Sequence, residues 1–190
     1  MGRFTIDSAF IEKWEPQYDE IECDEGAYKE ILAAVSKNIS DICTLSKSTF
    51  ERILDWKSRR VKGIVKWEEF DIYAEKFTEC LQAPEDQKLP LLDELYGIGV
   101  PVASTILHFI DPRHFPIMDV RTVEALYYSG YIESKQRDQK RYVSFCTTMM
   151  SIVQQNPRWS LRQVDRALFT YHTRELEPAI RRNSPKATKS

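Results

Sequence analysis

The chain has 190 residues, a formal net charge of -2, and 42% hydrophobic, 12% aromatic and 29% charged residues. This length fits one domain, and this composition can form a hydrophobic core and excludes disorder over most of the chain. No apolar run approaches the roughly 18 residues that a membrane span needs, and residues 1–20 lack the apolar stretch of a signal peptide. We therefore expect an intracellular protein with no membrane partner.

The four cysteines are too widely separated for the common metal centres. Cys23, Cys43, Cys80 and Cys146 form no C-x-x-C pair, and no histidine lies at zinc-finger spacing. This pattern argues against structural zinc and against an iron–sulfur cluster. It is typical of small buried thiols in a reducing compartment.

Charge is distributed unevenly along the chain. Residues 1–130 carry 15 basic and 24 acidic side chains, whereas residues 131–190 carry 12 and 5. A basic C-terminal third could face a polyanion while the acidic segment 15–26 faces away. A solvated surface with uneven charge is an equally good interpretation.

Helical periodicity dominates the chain. Apolar residues three and four apart predict helices over 27–39, over 49–56, from about 70 to 81 with an end near Pro84, and over 102–110, 142–153 and 161–171. Ser160 is the expected N-cap of the last of these. The best strand candidate, at 60–67, is short. We predict a mainly α, multi-helix domain over 1–182 and a flexible tail over 183–190.

The segment 89–126 contains the most informative motif, a tight turn between two helices. The first helix is expected to run to Tyr96 and to stop at Gly97 in a left-handed cap, with Gly99 at a second bend and Pro101 opening the next helix. The Gly97, Ile98 and Gly99 amides could then bind a phosphate oxygen beside a helix N-terminus. A plain helical hairpin with glycine caps is the simpler alternative.

The residues after this turn extend the motif. The run 95–103, L-Y-G-I-G-V-P-V-A, is followed by F-P-I-M-D at 115–119, so Asp119 lies 22 residues after Gly97. These two parts at this spacing resemble the helix-hairpin-helix DNA glycosylase superfamily, which includes endonuclease III and the adenine glycosylases. The resemblance covers roughly 40 residues, and it implies a helix-hairpin-helix motif in a glycosylase-like, all-α fold.

Two departures from the family restrict the implied chemistry. Bifunctional members carry a lysine two residues after the second hairpin glycine, where this chain has Pro101. A Schiff base at that position is therefore excluded, and a lyase would need another lysine. The four-cysteine cluster motif of many relatives is absent too. We expect a monofunctional enzyme with no cofactor and no metal, or with a structural monovalent cation at the hairpin as the one exception.

Asp119 is the predicted catalytic residue. Breakage of an N-glycosidic bond develops positive charge on the sugar, and a carboxylate in a water-poor cleft stabilises that charge. Aspartate is also among the best N-caps, and M-D-V-R-T has the pattern of a helix start. The two roles are compatible, because a capping aspartate is held rigidly at the mouth of its helix.

Several aromatic and basic residues complete the predicted site. A flipped base needs aromatic walls or a wedge, although each such ring could equally belong to the core. The candidates are Trp56, Tyr96, Phe115, Tyr127 and Tyr128. Basic contacts to DNA are expected from Lys57, Arg59 and Arg60, which follow Trp56, and from Arg121, Arg162 and Arg166. Arg162 and Arg166 are four residues apart and share a helix face, with Asp165 expected to point elsewhere.

The sequence therefore predicts a DNA-binding monomer that acts as a monofunctional DNA glycosylase on a damaged, mispaired or modified base. One alternative is a catalytically inactive helix-hairpin-helix module that still binds DNA. Another is a protein-interaction domain without nucleic acid. The glycosylase and the inactive module differ in whether Asp119 faces an open cleft with aromatic walls. The sequence does not specify the base.

Overall fold

Helices form the fold throughout the part of the chain that the structure describes. The computed structural model describes residues 4–183, apart from the side chains of Arg59 and Asn183, and this part contains no β-strand. The mainly α class is thereby confirmed. Residues 184–190 of the predicted tail lie outside the described residues, and Asn183 ends the last helix. Within residues 4–183, no helix is both long and apolar enough to cross a membrane.

Eleven α-helices are found in the described residues, against the six apolar helical patterns picked out in the sequence. They are α1 (Ser8–Trp14), α2 (Glu25–Ile42), α3 (Lys47–Lys57), α4 (Arg59–Lys62), α5 (Phe70–Gln82), α6 (Glu85–Asp93), α7 (Val100–Ile110), α8 (Val120–Ser129), α9 (Gln139–Gln155), α10 (Leu161–Tyr171) and α11 (Glu177–Asn183). Short 3₁₀ helices span Glu15–Glu20 and Trp67–Glu69, and a π-helical turn spans His172–Leu176.

The predicted helices lie where the apolar stripes are longest. α10 has the predicted bounds, and Ser160 caps it in a capping box with Gln163. The strand candidate at 60–67 is wrong. Val61 and Val65 are buried there while Gly63 and Ile64 between them are exposed, so the apolar period is four residues, that of a helix, and not two.

One continuous core joins the elements. Phe50 is fully buried and packs against Trp67, Tyr73 and Phe77 with ring centroids 5.0–5.8 Å apart. Elsewhere in the fold, α1 and the 3₁₀ helix at Glu15–Glu20 pack on α10. The start of the described chain is therefore fixed against its C-terminal helices.

The α6–α7 turn has the predicted left-handed residue but a shorter first helix. Gly97 has a φ of +81°, whereas α6 ends at Asp93 and not at Tyr96. Pro90 lies inside α6 and has no amide to donate, which weakens a helix of only nine residues. Val100 opens α7 and Pro101 is its second residue, where a proline is also tolerated.

Replacement of Gly97 by alanine should destabilise the fold by about 1–2 kcal/mol, because a left-handed backbone is unfavourable for any residue with a Cβ. The new Cβ would also lie 3.1 Å from Ile64 Cγ2. Urea denaturation measures the loss. Gly26→Ala is the matched control, since nothing lies within 4 Å of its Cβ position, and equal stability losses in the two variants would contradict the assignment.

Candidate functional site

The loop between α7 and α8 is held in place by side chains of the surrounding helices. Three hydrogen bonds fix its backbone: His108 Nδ1 to the Phe115 carbonyl at 2.8 Å, the Met118 amide to Ser104 Oγ at 3.0 Å, and the Tyr142 hydroxyl to the Pro116 carbonyl at 3.1 Å. All three side chains are buried. Because the loop ends at Asp119, these bonds determine where its carboxylate lies.

His108 serves this support in its neutral form. Its Nδ1 must carry the proton, since a carbonyl only accepts, so Nε2 accepts from the Tyr28 hydroxyl at 2.8 Å. Burial lowers the pKa of His108 to about 4. At neutral pH this histidine is therefore a structural residue with both ring nitrogens bonded.

Asp119 caps α8 and at the same time pairs with a lysine. One carboxylate oxygen, Oδ1, accepts from the Arg121 amide at 2.9 Å, and the other, Oδ2, lies 3.1 Å from Lys57 Nζ at the end of α3. The side chains of Asp119 and Lys57 are only 23% and 12% exposed. The predicted N-cap is thus present, and it leaves the second oxygen for other contacts.

The environment of Asp119 keeps it ionised. Burial alone would raise the pKa of Asp119, but the charge of Lys57 and the Arg121 amide outweigh burial, so the pKa lies below its usual value. The Arg121 guanidinium adds a smaller effect of the same sign. Of these two basic side chains, Lys57 therefore lowers the pKa of Asp119 more than Arg121 does.

Asp119 and Lys57 line an open cleft of 240 Å³, which we call the Asp119 cleft. Its other lining residues are Tyr18, Glu22, Asp24, Trp56, Ile117, Arg121, Arg162, Asp165 and Phe169. Four carboxylates, three basic groups and three aromatic rings thus meet around one small space. The cleft suits a planar polar group that can stack and accept or donate hydrogen bonds.

Arg162 forms one wall of this cleft. Its guanidinium lies 4.9 Å from the Tyr18 ring centroid, 4.8 Å from that of Tyr28 and 5.3 Å from that of Trp56. It also donates to Asp165 Oδ2 at 2.8 Å. The expectation that Asp165 points away from Arg162 is therefore wrong, because residues three apart on a helix are neighbours.

Arg162 and Arg166 do not form the predicted exposed basic face. They are 8% and 7% exposed. Arg166 lies 2.8–3.3 Å from carboxylates of Glu15, Asp19 and Glu25. The acidic segment 15–26 thus packs against α10 and neutralises it, which corrects the expectation that this segment faces away from the basic C-terminal third.

Only one of the five predicted pocket aromatics lines the Asp119 cleft. That residue is Trp56. Phe115 is buried in the core, and Tyr96 is 60% exposed beside Lys66. Tyr127 and Tyr128 pack against each other and against Lys135. The structure supplies Tyr18 and Phe169 as further cleft aromatics in their place.

The basic run after Trp56 separates at the end of α3. Lys57 enters the Asp119 cleft, Ser58 is extended with a φ of -168°, and Arg60 is exposed on α4. The side chain of Arg59 lies outside the described part of the structure. Of the three basic residues that follow Trp56, Lys57 is therefore the one that lines the cleft, together with the predicted contacts Arg121 and Arg162.

The α6–α7 turn leaves backbone donors free beside basic residues. In the described part of the chain the amides of Gly97 and Gly99 have no hydrogen-bond acceptor, whereas the Ile98 amide donates to the Leu95 carbonyl at 2.9 Å and its side chain is buried. A groove at the start of α7 is lined by Gly99 together with Arg137, Lys140 and Arg141 among others. The sequence predicted three free amides in this turn. The Ile98 amide is not free, but the amides of Gly97 and Gly99 remain available.

The monovalent cation expected at the hairpin stays a prediction. The carbonyls of Leu95, Tyr96 and Gly99 already accept hydrogen bonds from the protein, that of Tyr96 from the Tyr73 hydroxyl at 2.7 Å. Among the described residues, no cluster of three or more His, Cys, Asp or Glu side chains could hold a metal ion.

The cleft residues that the sequence analysis missed differ in whether a local sequence pattern could have indicated them. Asp165 and Phe169 lie three and seven residues after Arg162, which was itself a predicted site residue, so the helical period places all three on one face of α10. Tyr18, Glu22 and Asp24 lie on or just after a 3₁₀ helix with no apolar period. No local pattern indicates that this segment approaches α8.

Removal of Lys57 should raise the pKa of Asp119, because the opposing effect of burial would remain. Carboxyl ¹³C titration of Lys57→Met against the wild type measures this change. Since the folded pKa lies below the unfolded value of about 3.9, ionised Asp119 stabilises the fold above that pH, and this contribution is lost as the pH falls through the folded pKa. An unchanged Asp119 pKa would contradict the assigned cause.

Comparison with protein-family models, curated proteins and solved structures found no match for this chain.

Proposed function

We propose that this protein is a DNA glycosylase that hydrolyses the N-glycosidic bond of a damaged, mispaired or modified base. The main support for this proposal is Asp119. Its ionised carboxylate caps α8 and lies in an open cleft that also contains aromatic rings. The 22-residue spacing from Gly97 and the resemblance described above support the same function. Within this proposal, α6, its turn and α7 are the helix-hairpin-helix motif.

The size and lining of the Asp119 cleft support entry of a single base. A cavity needs only about 10–15 Å³ of space to hold one water molecule, so 240 Å³ has room for several waters or one small planar ring system. Trp56, Tyr18 and Phe169 offer π surfaces for stacking. The charged side chains of the cleft can bond to the polar edge of the base.

Asp119 acts on the sugar in this proposal. As the bond to the base lengthens, positive charge develops at C1′ and the ring oxygen, and the carboxylate stabilises it electrostatically. The effect is strong because Asp119 is mostly buried. Its helix cap needs only Oδ1, so Oδ2 can turn from Lys57 toward the sugar or toward the attacking water.

The turn at Gly97–Gly99 supports contact with the DNA backbone. Its two free amides can bind a phosphate oxygen, and Arg137, Lys140 and Arg141 lie along the adjoining groove. These contacts carry no base specificity. They would hold the duplex while the target nucleotide enters the cleft.

A panel of labelled duplexes tests the proposal. The duplexes carry uracil, hypoxanthine, alkylated purines, oxidised guanine, mispaired adenine or modified cytosines, and are heated in alkali after incubation to cut abasic sites. Release of at least one base by the wild-type protein is the expected result. Intact duplexes throughout, with binding that weakens steeply as salt rises, would contradict catalysis and leave the inactive DNA-binding module.

A further inference from the structure

A second groove lies beside α9, and the proposed hydrolysis does not use it. It has a volume of 690 Å³ and is bounded by α9 and by the loop between α8 and α9, and we call it the α9 groove. None of its lining residues lines the Asp119 cleft. The helix contributes Lys140, Arg141, Ser144, Phe145 and Thr148, which share one helix face. The groove is thus a separate space with its own set of side chains.

The floor of the α9 groove is apolar and includes a fixed aromatic ring. Met118 and Phe145 are at most 1% exposed, and Tyr131 and Ile132 are partly exposed. The Tyr131 hydroxyl accepts a hydrogen bond from the Ile6 amide at 3.0 Å, so its ring is held in one orientation. A ring that is already fixed loses little conformational entropy when a second ring stacks on it. This floor suits a planar group such as a nucleobase.

One wall of the α9 groove is basic, at a position that is costly for the fold. Lys140 and Arg141 lie in the first turn of α9, where the helix dipole favours acidic side chains and this helix has none. Arg141 pairs with the N-cap Asp138 at 3.3 Å, whereas Lys140 is exposed and forms no ion pair within the described residues. Two cations at the positive end of a helix lower its stability unless an anion lies near them, which points to an anionic ligand such as phosphate.

The same two basic residues connect the α9 groove with the groove at the start of α7. Lys140 and Arg141 line both grooves, and the groove at α7 also contains Gly99 and Arg137. A strand whose phosphates lie at the α6–α7 turn therefore reaches the α9 groove along one basic surface. We propose that the α9 groove binds an unpaired nucleotide of the bound DNA, with its base on Tyr131 and its phosphate at Lys140 and Arg141. This inference rests on the proposed function only in that it takes DNA as the ligand.

The remaining polar groups of the α9 groove fit a base without selecting one. Ser144 and Thr148 offer hydroxyl groups, and Glu133 is the one carboxylate among the described lining residues. Glu133 is exposed, so it can accept a hydrogen bond from an exocyclic amino group or turn to solvent. Hydroxyl groups both donate and accept hydrogen bonds, so they tolerate the edge of any base. The groove should thus recognise that a nucleotide is unpaired, and not which base it carries.

Crosslinking tests where an unpaired base lies. A single-stranded oligothymidylate with one 5-iodouracil is irradiated with the wild-type protein, and the adduct is mapped by peptide mass spectrometry. We expect an adduct at Tyr131. Adducts only at Trp56, Tyr18 or Phe169 would place the base in the Asp119 cleft and overturn the inference, as would the absence of any adduct.

Affinity measurements test the contribution of the Tyr131 ring. The oligothymidylate is compared with a strand of equal length and charge in which every thymidine is replaced by an abasic tetrahydrofuran residue. Wild type and Tyr131→Phe should bind the thymine strand more tightly by about fivefold or more, the lower end of what one stacked base contributes. Tyr131→Leu should lose most of this preference. Tyr131→Phe is the matched control, because both variants lose the hydrogen bond from Ile6 and only the leucine variant loses the ring.

Three affinity results would overturn the inference. They are no preference of the wild type for the thymine strand, equal preferences in Tyr131→Leu and Tyr131→Phe, and competition by free thymidine monophosphate as strong as by the strand at equal nucleotide concentration. Crosslink mapping on the wild type decides even if Tyr131→Leu folds poorly. The lesion panel gives a separate result: base release without an adduct at Tyr131 leaves the glycosylase proposal intact, and an adduct at Tyr131 without base release contradicts only that proposal.

Discussion

Asp119→Asn should slow base release by about 10²–10³-fold, the range found when one preorganised electrostatic group is removed from an active site. Asparagine is as good an N-cap as aspartate, so α8 should keep its start while the cleft loses the charge that stabilises the sugar cation. Single-turnover rates on whichever duplex the wild type cleaves give the comparison.

Asp7→Asn is the matched control for this variant. Asp7 caps α1 in the same way, with its carboxylate accepting from the Phe10 amide at 2.9 Å, but it does not line the Asp119 cleft. It should retain the wild-type rate. Equal rates for Asp119→Asn and wild type, with both proteins folded, would reduce Asp119 to a helix cap.

Arg162→Met should lower the free energy of unfolding by about 3–5 kcal/mol, because it leaves a buried carboxylate without its partner. Asp165 is 6% exposed and would keep only the Thr122 hydroxyl, at 2.9 Å, as a hydrogen-bond donor. Tyr18, Tyr28 and Trp56 would also lose the cation that they surround. Urea denaturation at neutral pH measures the change.

Two further variants separate this effect from a general one. Arg158 pairs with Glu12 on the surface, where both side chains are at least half exposed, so Arg158→Met should change stability by less than about 1 kcal/mol. Adding Asp165→Asn to Arg162→Met should recover part of the loss, since the uncompensated charge is then gone. Similar losses for Arg158→Met and Arg162→Met would refute the buried-pair account.

The helices were predictable because their apolar stripes are local. α5 and α10 follow directly from residues three and four apart, and Ser160 follows from cap chemistry. Asp119 at a helix start was predictable for the same reason. What it faces was not, because Lys57 is 62 residues away and reaches it only through the packing of α3 beside α7.

The basic C-terminal helix shows why charge alone misled. Arg162 and Arg166 share a face, as their spacing predicts, but that face is covered by the acidic segment 15–26. Opposite charges attract each other even when they lie far apart in sequence. An analysis that considers the charge of each segment separately treats every charged segment as solvent-exposed and misses such pairs. Tyr18 and Asp24 of this segment also line the Asp119 cleft.

The most direct test of the central claim compares two abasic-site analogues in otherwise identical duplexes. One carries a pyrrolidine ring, which is cationic at neutral pH and imitates the charged sugar, and the other carries a neutral tetrahydrofuran ring. If Asp119 stabilises the sugar cation, wild type should bind the cationic analogue more tightly by at least about tenfold, and Asp119→Asn should lose this preference. Equal affinity of the wild type for the two duplexes would contradict the account.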